Sequence, residues 1–170
     1  MEEFTQNNFK EMRWKNGGGT TTELYSLYDP FVFRLSIANV EKDGDFSIFP
    51  FIDRTLILLS GDGFLLHKPR ESLQLNTKFN PFEFSGDDNI HCSLLGDNCT
   101  DFNVMVDRRW GKTVTRIMER NIKLNIFANN IDTFIFDYSL YTLWKITGNE
   151  QMEFDINPTT PLVVIGVYEN

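Results

Sequence analysis

The chain has 170 residues, with 16 lysines and arginines against 24 aspartates and glutamates for a formal net charge of −8, and 16 of its residues are phenylalanine. That length fits one domain or two small fused units, and each buried phenylalanine contributes about 2–3 kcal/mol, so a sizeable core is within reach. An acidic chain without a basic stripe repels a phosphate backbone, no apolar run approaches the ~20 residues of a membrane span, and the N-terminus has no signal-peptide pattern; the expectation is no nucleic acid, no membrane and a cytoplasmic location.

Residues 1–13 are polar with scattered apolar positions and suit one short helical turn or a strand. Trp14 to Glu23 interrupts them with three glycines and three threonines, and Asp29-Pro30 marks a turn. From Phe31 to Val40 the pattern alternates, with Phe31, Phe33, Leu35 and Ile37 on one face and Arg34, Ser36 and Ala38 on the other. A period of two is a strand.

The stretch Asp43 to Leu66 is the densest in apolar residues. An aromatic run (Phe46, Phe49, Phe51), broken by Pro50, leads to Asp53-Arg54; Leu56 to Leu59 follows, then Ser60-Gly61-Asp62-Gly63 and Phe64-Leu65-Leu66. Two apolar runs joined by a short loop with two glycines predict a β-hairpin whose glycines take positive φ. Lys68-Pro69-Arg70-Glu71 is a polar break, and short strands are expected at Leu73–Leu75, Phe82–Phe84, His91–Leu95 and Asp101–Val106. In the last, Phe102, Val104 and Val106 oppose Asp101, Asn103 and Met105.

Asp107 to Gly111 is the expected junction. Beyond it strands are predicted at Thr113–Met118, Ile122–Phe127, Thr133–Asp137, Leu143–Ile146, Met152–Ile156 and Leu162–Val167, with turns at Asn129-Asn130, Gly148-Asn149 and Asn157-Pro158. No long window carries a helical stripe. Many short strands at this spacing indicate an all-β barrel or sandwich.

Few residues offer chemistry. Asn16-Gly17-Gly18-Gly19-Thr20 lacks the lysine of a phosphate-binding loop, so its glycines read either as a plain loop or as a close approach to a ligand. His67 and His91 lie in different strands without metal-site spacing, and Cys92 and Cys99 lack a second ligand pair, so no metal and no cofactor is expected. Cys92 beside His91 is no dyad, because strand neighbours point to opposite faces. Arg34 within an apolar strand is costly to bury unless it meets a carboxylate or an anionic ligand. Together with Ser36, Asn103 and the Asp53-Arg54 pair it suits a small carboxylate-bearing molecule, since guanidinium grips such a group through two parallel hydrogen bonds. The alternative is an internal ion pair of Arg34 with Asp53 or Glu23.

Several segments together resemble the HutD/Ves family: Trp14-Lys15-Asn16-Gly17-Gly18-Gly19 with Thr20 and Glu23; Phe33 to Ala38; Asp43 to Pro50 with Asp53-Arg54; Leu58 to Gly63; Phe82 to Asp87; and Asp101 to Met105 with Arg108. They occur in the family's order over roughly residues 12 to 110; from Lys112 onward the likeness is one of strand texture. The resemblance implies a double-stranded β-helix of the cupin (jelly-roll) type, with two barrels fused as a bicupin: residues 1–110 with the glycine-rich loop, and an abbreviated second barrel at 111–170 packed on it as one unit. It also implies a metal-free cupin, since Phe46-Ser47-Ile48-Phe49 stands where many cupins carry metal-binding histidines. Phe51 departs from the family, which commonly has a glycine after Pro50.

The function implied is a regulator or sensor linked to histidine utilisation, holding an acid of the urocanate or formylglutamate class. The expected ligand-binding residues are Trp14, Asn16, Gly18, Thr20, Glu23, Arg34, Ser36, Ser47, Phe49, Asp53, Arg54 and Asn103. The reading leans away from an enzyme; the alternative is a metal-independent isomerase, lyase or hydrolase with Glu23 or Asp53 as general base. A homodimer is allowed for.

Overall fold

A computed structural model of the chain describes residues 1–119, 122–125, 131–148, 151–154 and 160–170, and apart from a 3-10 turn at Gln6–Asn8 every regular element among them is a strand. The first half carries β1 (Glu2–Phe4), β2 (Lys10–Arg13), β3 (Gly19–Leu27), β4 (Phe33–Val40), β5 (Gly44–Asp45), β6 (Ile52–Ser60), β7 (Phe64–Lys68), β8 (Glu71–Leu75), β9 (Phe82–Ser85), β10 (His91–Leu94) and β11 (Cys99–Asp107). The second carries β12 (Gly111–Met118), β13 (Ile122–Asn125), β14 (Asp132–Asp137), β15 (Thr142–Thr147), β16 (Gln151–Phe154) and β17 (Leu162–Glu169). The predicted turns at Asn129-Asn130 and Asn157-Pro158, the ends of the strands expected to reach Phe127 and Ile156, and Asn149 lie outside the described residues.

Four sheets result, ordered β2-β3-β4-β11-β6-β9, β5-β10-β7-β8, β1-β15-β14-β17-β12 and β13-β16. The six-stranded sheet separates two cores. On one face Phe33, Leu35, Ile37, Ile57, Leu59, Phe102, Val104 and Val106 pack against Phe134, Phe136, Leu143, Val163, Ile165 and Val167 of the five-stranded sheet. On the other face Ala38, Val40, Leu56 and Leu58 meet Phe64, Leu66 and Cys92 of the four-stranded sheet. The alternations predicted for β4 and β11 are therefore real, and each side of the alternation has its own partner. In β6 both parities are apolar because both faces are buried, which is why Leu56 to Leu59 reads as an unbroken run.

The predicted hairpin between Leu56 and Leu66 is not formed. β6 pairs with β11 and β9, whereas β7 pairs with β10 and β8. The loop instead carries the chain across the sandwich from one sheet to the facing one. Its glycines do take positive φ, 93° at Gly61 and 106° at Gly63. At Gly63 a side chain is excluded twice over, since a Cβ would also collide with the Leu75 carbonyl.

Phe51 adopts φ 67°, the left-handed conformation a glycine takes without strain, and the Arg109 guanidinium lies 4.2 Å from the centre of its ring. The 110/111 division falls in the turn between β11 and β12. It is crossed by the shared core and by β1, which pairs with β15.

Candidate functional site

Strand register places the polar residues of the six-stranded sheet in rows. Met105 of β11 stands between Arg34 of β4 and Arg54 of β6; Asn103 stands between Ser36 and Leu56; Asp101 stands between Ala38 and Leu58. Directly paired residues share a face, so both arginines, Ser36, Asn103 and Asp101 point into the sandwich with the four-stranded sheet. There they line a cavity of about 490 Å³, walled further by Trp14, Asn16, Thr21, Phe46, Ser47 and Phe49.

Two irregular segments close the cavity. The first is the tight loop joining β2 to β3. Trp14 Nε1 donates to Thr21 Oγ1 at 2.7 Å, Asn16 Oδ1 accepts from the Gly18 N–H at 2.9 Å, and the indole lies so close over Gly19 that a Cβ there would sit 3.1 Å from the ring. The second runs from Phe46 to Phe51. Phe46 N–H donates to the Ile90 carbonyl at 2.9 Å and Phe49 N–H to the Gly86 carbonyl at 2.8 Å, which fixes both rings over Arg54.

Arg54 is the centre of the arrangement. It is only 9% exposed, and its guanidinium carbon lies 4.9, 5.3 and 5.6 Å from the ring centres of Phe84, Phe46 and Phe49. Nη2 donates to Asn103 Oδ1 at 2.7 Å, and Asn103 Nδ2 donates to Asp101 Oδ1. Arg54 Nε is buried without a hydrogen-bond partner. Burial pushes the Arg54 guanidinium down to about 10, against the pull of Asp101 and with a further push from the Arg34 charge. Asp101, 1% exposed, is pushed up to about 7 by burial, with the Arg54 charge and the Asn103 hydrogen bond holding it back. Such a chain is a poor way to stabilise a core, because apolar replacement of a buried ion pair is often neutral or better by about 1–4 kcal/mol. Here that chain lies in the wall of the cavity.

Arg34 Nε lies 3.0 Å from Glu23 Oε2, a charge pair whose N–H is not aimed as a hydrogen bond. The pairing with Glu23 that the sequence left open is therefore formed, yet the arginine still lines the cavity.

The sequence matches the HutD family model over residues 6–163. The chain belongs to the HutD family. An uncharacterized 21.2 kDa protein of the hutC 3' region of Pseudomonas putida is 39% identical over 101 residues, 57% of this chain and 53% of that protein. Protein Ves of Citrobacter koseri is 31% identical over 125 residues, 71% of this chain and 65% of that protein. The chain thus aligns with between half and two thirds of the length of these curated relatives. Among solved structures, a conserved protein of unknown function from Pseudomonas aeruginosa PAO1 superposes with a TM-score of 0.82 at 25% identity, covering 99% of this chain and 97% of that one. HutD from Pseudomonas fluorescens SBW25, in a formate condition, gives 0.83 at 24% identity, covering 99% and 98%. The all-β, two-barrel cupin arrangement of the HutD family is the fold of this chain.

Within this HutD-family fold, eight of the residues singled out in the sequence line the cavity: Trp14, Asn16, Arg34, Ser36, Ser47, Phe49, Arg54 and Asn103. Four do not. Asp53 precedes Arg54 on the same strand and so points to the other side of the sheet, where its Oδ1 accepts from Arg108 Nε at 2.8 Å. Thr20 is paired with Asn39 at an alternate position, out of phase with Thr21. Gly18 supplies backbone instead, its carbonyl accepting from Glu41 and Lys42. Glu23 is on the cavity face but stands behind Arg34.

Asp101, Phe46 and Phe84 were not singled out. For Asp101 the signal was present, since it alternates onto the Asn103 face; for the phenylalanines none distinguishes a cage from ordinary core. His67 and His91, on different strands as expected, are register partners on adjacent strands with ring centres 5.9 Å apart. Even so, among the described residues no group of three or more His, Cys, Asp or Glu is placed to hold a metal ion.

Proposed function

We propose that the cavity holds a small carboxylate-bearing molecule and that the chain works as a binding protein, a sensor or regulator tied to histidine utilisation, with an acid of the urocanate or formylglutamate class as its ligand. The observation that carries this reading is the buried Arg54 with an unpartnered Nε in a cavity it shares with Arg34. A carboxylate oxygen supplies the acceptor that Nε lacks, and the aromatic walls of Trp14, Phe46 and Phe49 suit a flat ligand body. The link to histidine utilisation rests on the family and on a relative from a hutC region.

The enzymatic alternative gains no support from the geometry. Asp53 faces away from the cavity and is held by Arg108, while Glu23 is engaged with Arg34 and Ser26. Neither is free to serve as a base on a bound acid.

Calorimetric titration with urocanate, formylglutamate and a panel of small acids provides the test. We expect saturable binding to the wild type and at least a tenfold weaker affinity in Arg54→Met, whose unbranched chain keeps the aromatic cage filled. No heat and no thermal shift across the panel would sink the reading.

A further inference from the structure

The same buried chain of side chains suggests how binding is regulated, an inference that rests on the carboxylate reading above. We propose that Asp101, reaching Arg54 through Asn103, couples occupation of the cavity by an anion to the uptake of one proton from solvent.

The geometry sets up the coupling. Arg54 is the cation on which the buried Asp101 carboxylate depends, and the two are joined by a single amide: Arg54 Nη2 to Asn103 Oδ1 at 2.7 Å, then Asn103 Nδ2 to Asp101 Oδ1. An anion that seats on Arg54 claims the same positive charge. Asp101 then carries its own charge in a dry site with less to balance it, and the neutral acid becomes the favoured form. The proton goes onto the carboxylate and comes from water or buffer; no other bond changes. Asn103 keeps its place in either state, because its Nδ2 donates to the carboxylate and, more weakly, to the carbonyl oxygen of the carboxylic acid. In the empty site burial already raises Asp101 to about 7, so a modest further push crosses neutral pH.

The other groups facing this chain leave Asp101 as the one that responds. Arg34 on β4 is engaged with Glu23 on β3. Across the sandwich, Cys92 on β10 is pushed up to about 12, chiefly by burial, with Asp101 and Asp43 adding to it. Cys99, on the Asp101 strand itself, is raised by burial as well. Asp45, at the cavity edge, is held at its Oδ1 by His91 Nδ1 at 2.7 Å. His67 and His91 alternate with Leu66 and Cys92 of the core and so point to the outer face of the four-stranded sheet.

The experiment titrates the intact chain with formate and with benzoate, both fully ionised across the range, from about pH 6 to about pH 9 in pairs of buffers differing in ionisation enthalpy. Affinity is expected to level off below pH ~7 and to fall by up to ~10-fold per pH unit above it, with a heat that depends on the buffer as one proton is taken up. Asp101→Asn should lose the slope and, lacking the competing charge, bind more tightly than wild type at the alkaline end. If both probes bind with flat profiles and buffer-independent heats, the proton coupling is overturned while the carboxylate reading stands. If neither binds at any pH, both fall. Should Asp101→Asn fail to fold, the buffer dependence of the wild type decides alone.

Discussion

Arg54 and Asp101 face each other across Asn103 because three adjacent strands present side chains of one parity to one face. The energetics of that placement is testable apart from any ligand. An aspartate titrates near 3.9 when unfolded and Asp101 at about 7 when folded, so between those values the folded chain binds more protons. This group's contribution is therefore most favourable at acid pH and is lost as pH rises towards 7. Asp101→Asn removes the effect, and the melting temperature of the variant relative to wild type should climb from about pH 5 and level off above about pH 7. A constant difference over that range would mean that Asp101 keeps an ordinary carboxylate's behaviour inside the protein. Much of this was legible in the residues themselves. Alternation alone put Arg34 with Ser36, and Asp101 with Asn103, on faces opposite the phenylalanines. The same rule separates Asp53 from Arg54, and grouping those two as one pair overlooked it. What alternation could not supply was closure: nothing local says that Phe46, Phe49 and Phe84 converge on a guanidinium.

At the scale of elements, the loop from Ser60 to Gly63 shows where sequence patterns stop. Two apolar runs around two glycines fit a hairpin and a sheet-to-sheet crossing equally well, because both need positive φ and both bury the flanking strands. The decision is made by partners far along the chain, β11 and β9 for β6, β10 and β8 for β7. The crossing brings Leu56 and Leu58 over Phe64 and Leu66, so it fixes the sandwich whose other end is the cavity. Gly63→Ala should therefore be severe. Its φ of 106° is unfavourable for any side chain, and the obstructing atom is backbone. A loss of about 3 kcal/mol or more is expected in urea denaturation, against roughly 1 kcal/mol for a glycine replaced where only the dihedral is at stake.

Across the whole molecule the two halves share one apolar layer. Phe134 of the five-stranded sheet sits 5.2 Å, ring centre to ring centre, from Phe33 of the six-stranded sheet and 4.8 Å from Tyr25. Phe134→Ala should cost about 3–5 kcal/mol and lower one cooperative unfolding transition rather than split it. Two separable transitions would show that the halves stand independently. The strand β1 adds a consequence in time. On a ribosome Glu2–Phe4 is made long before its partners Leu143–Lys145, which follow after roughly 7–30 seconds at ordinary rates of synthesis. A segment made that early is thus late to find its place, and the edge of β15 that it covers stays open to other strands until it does.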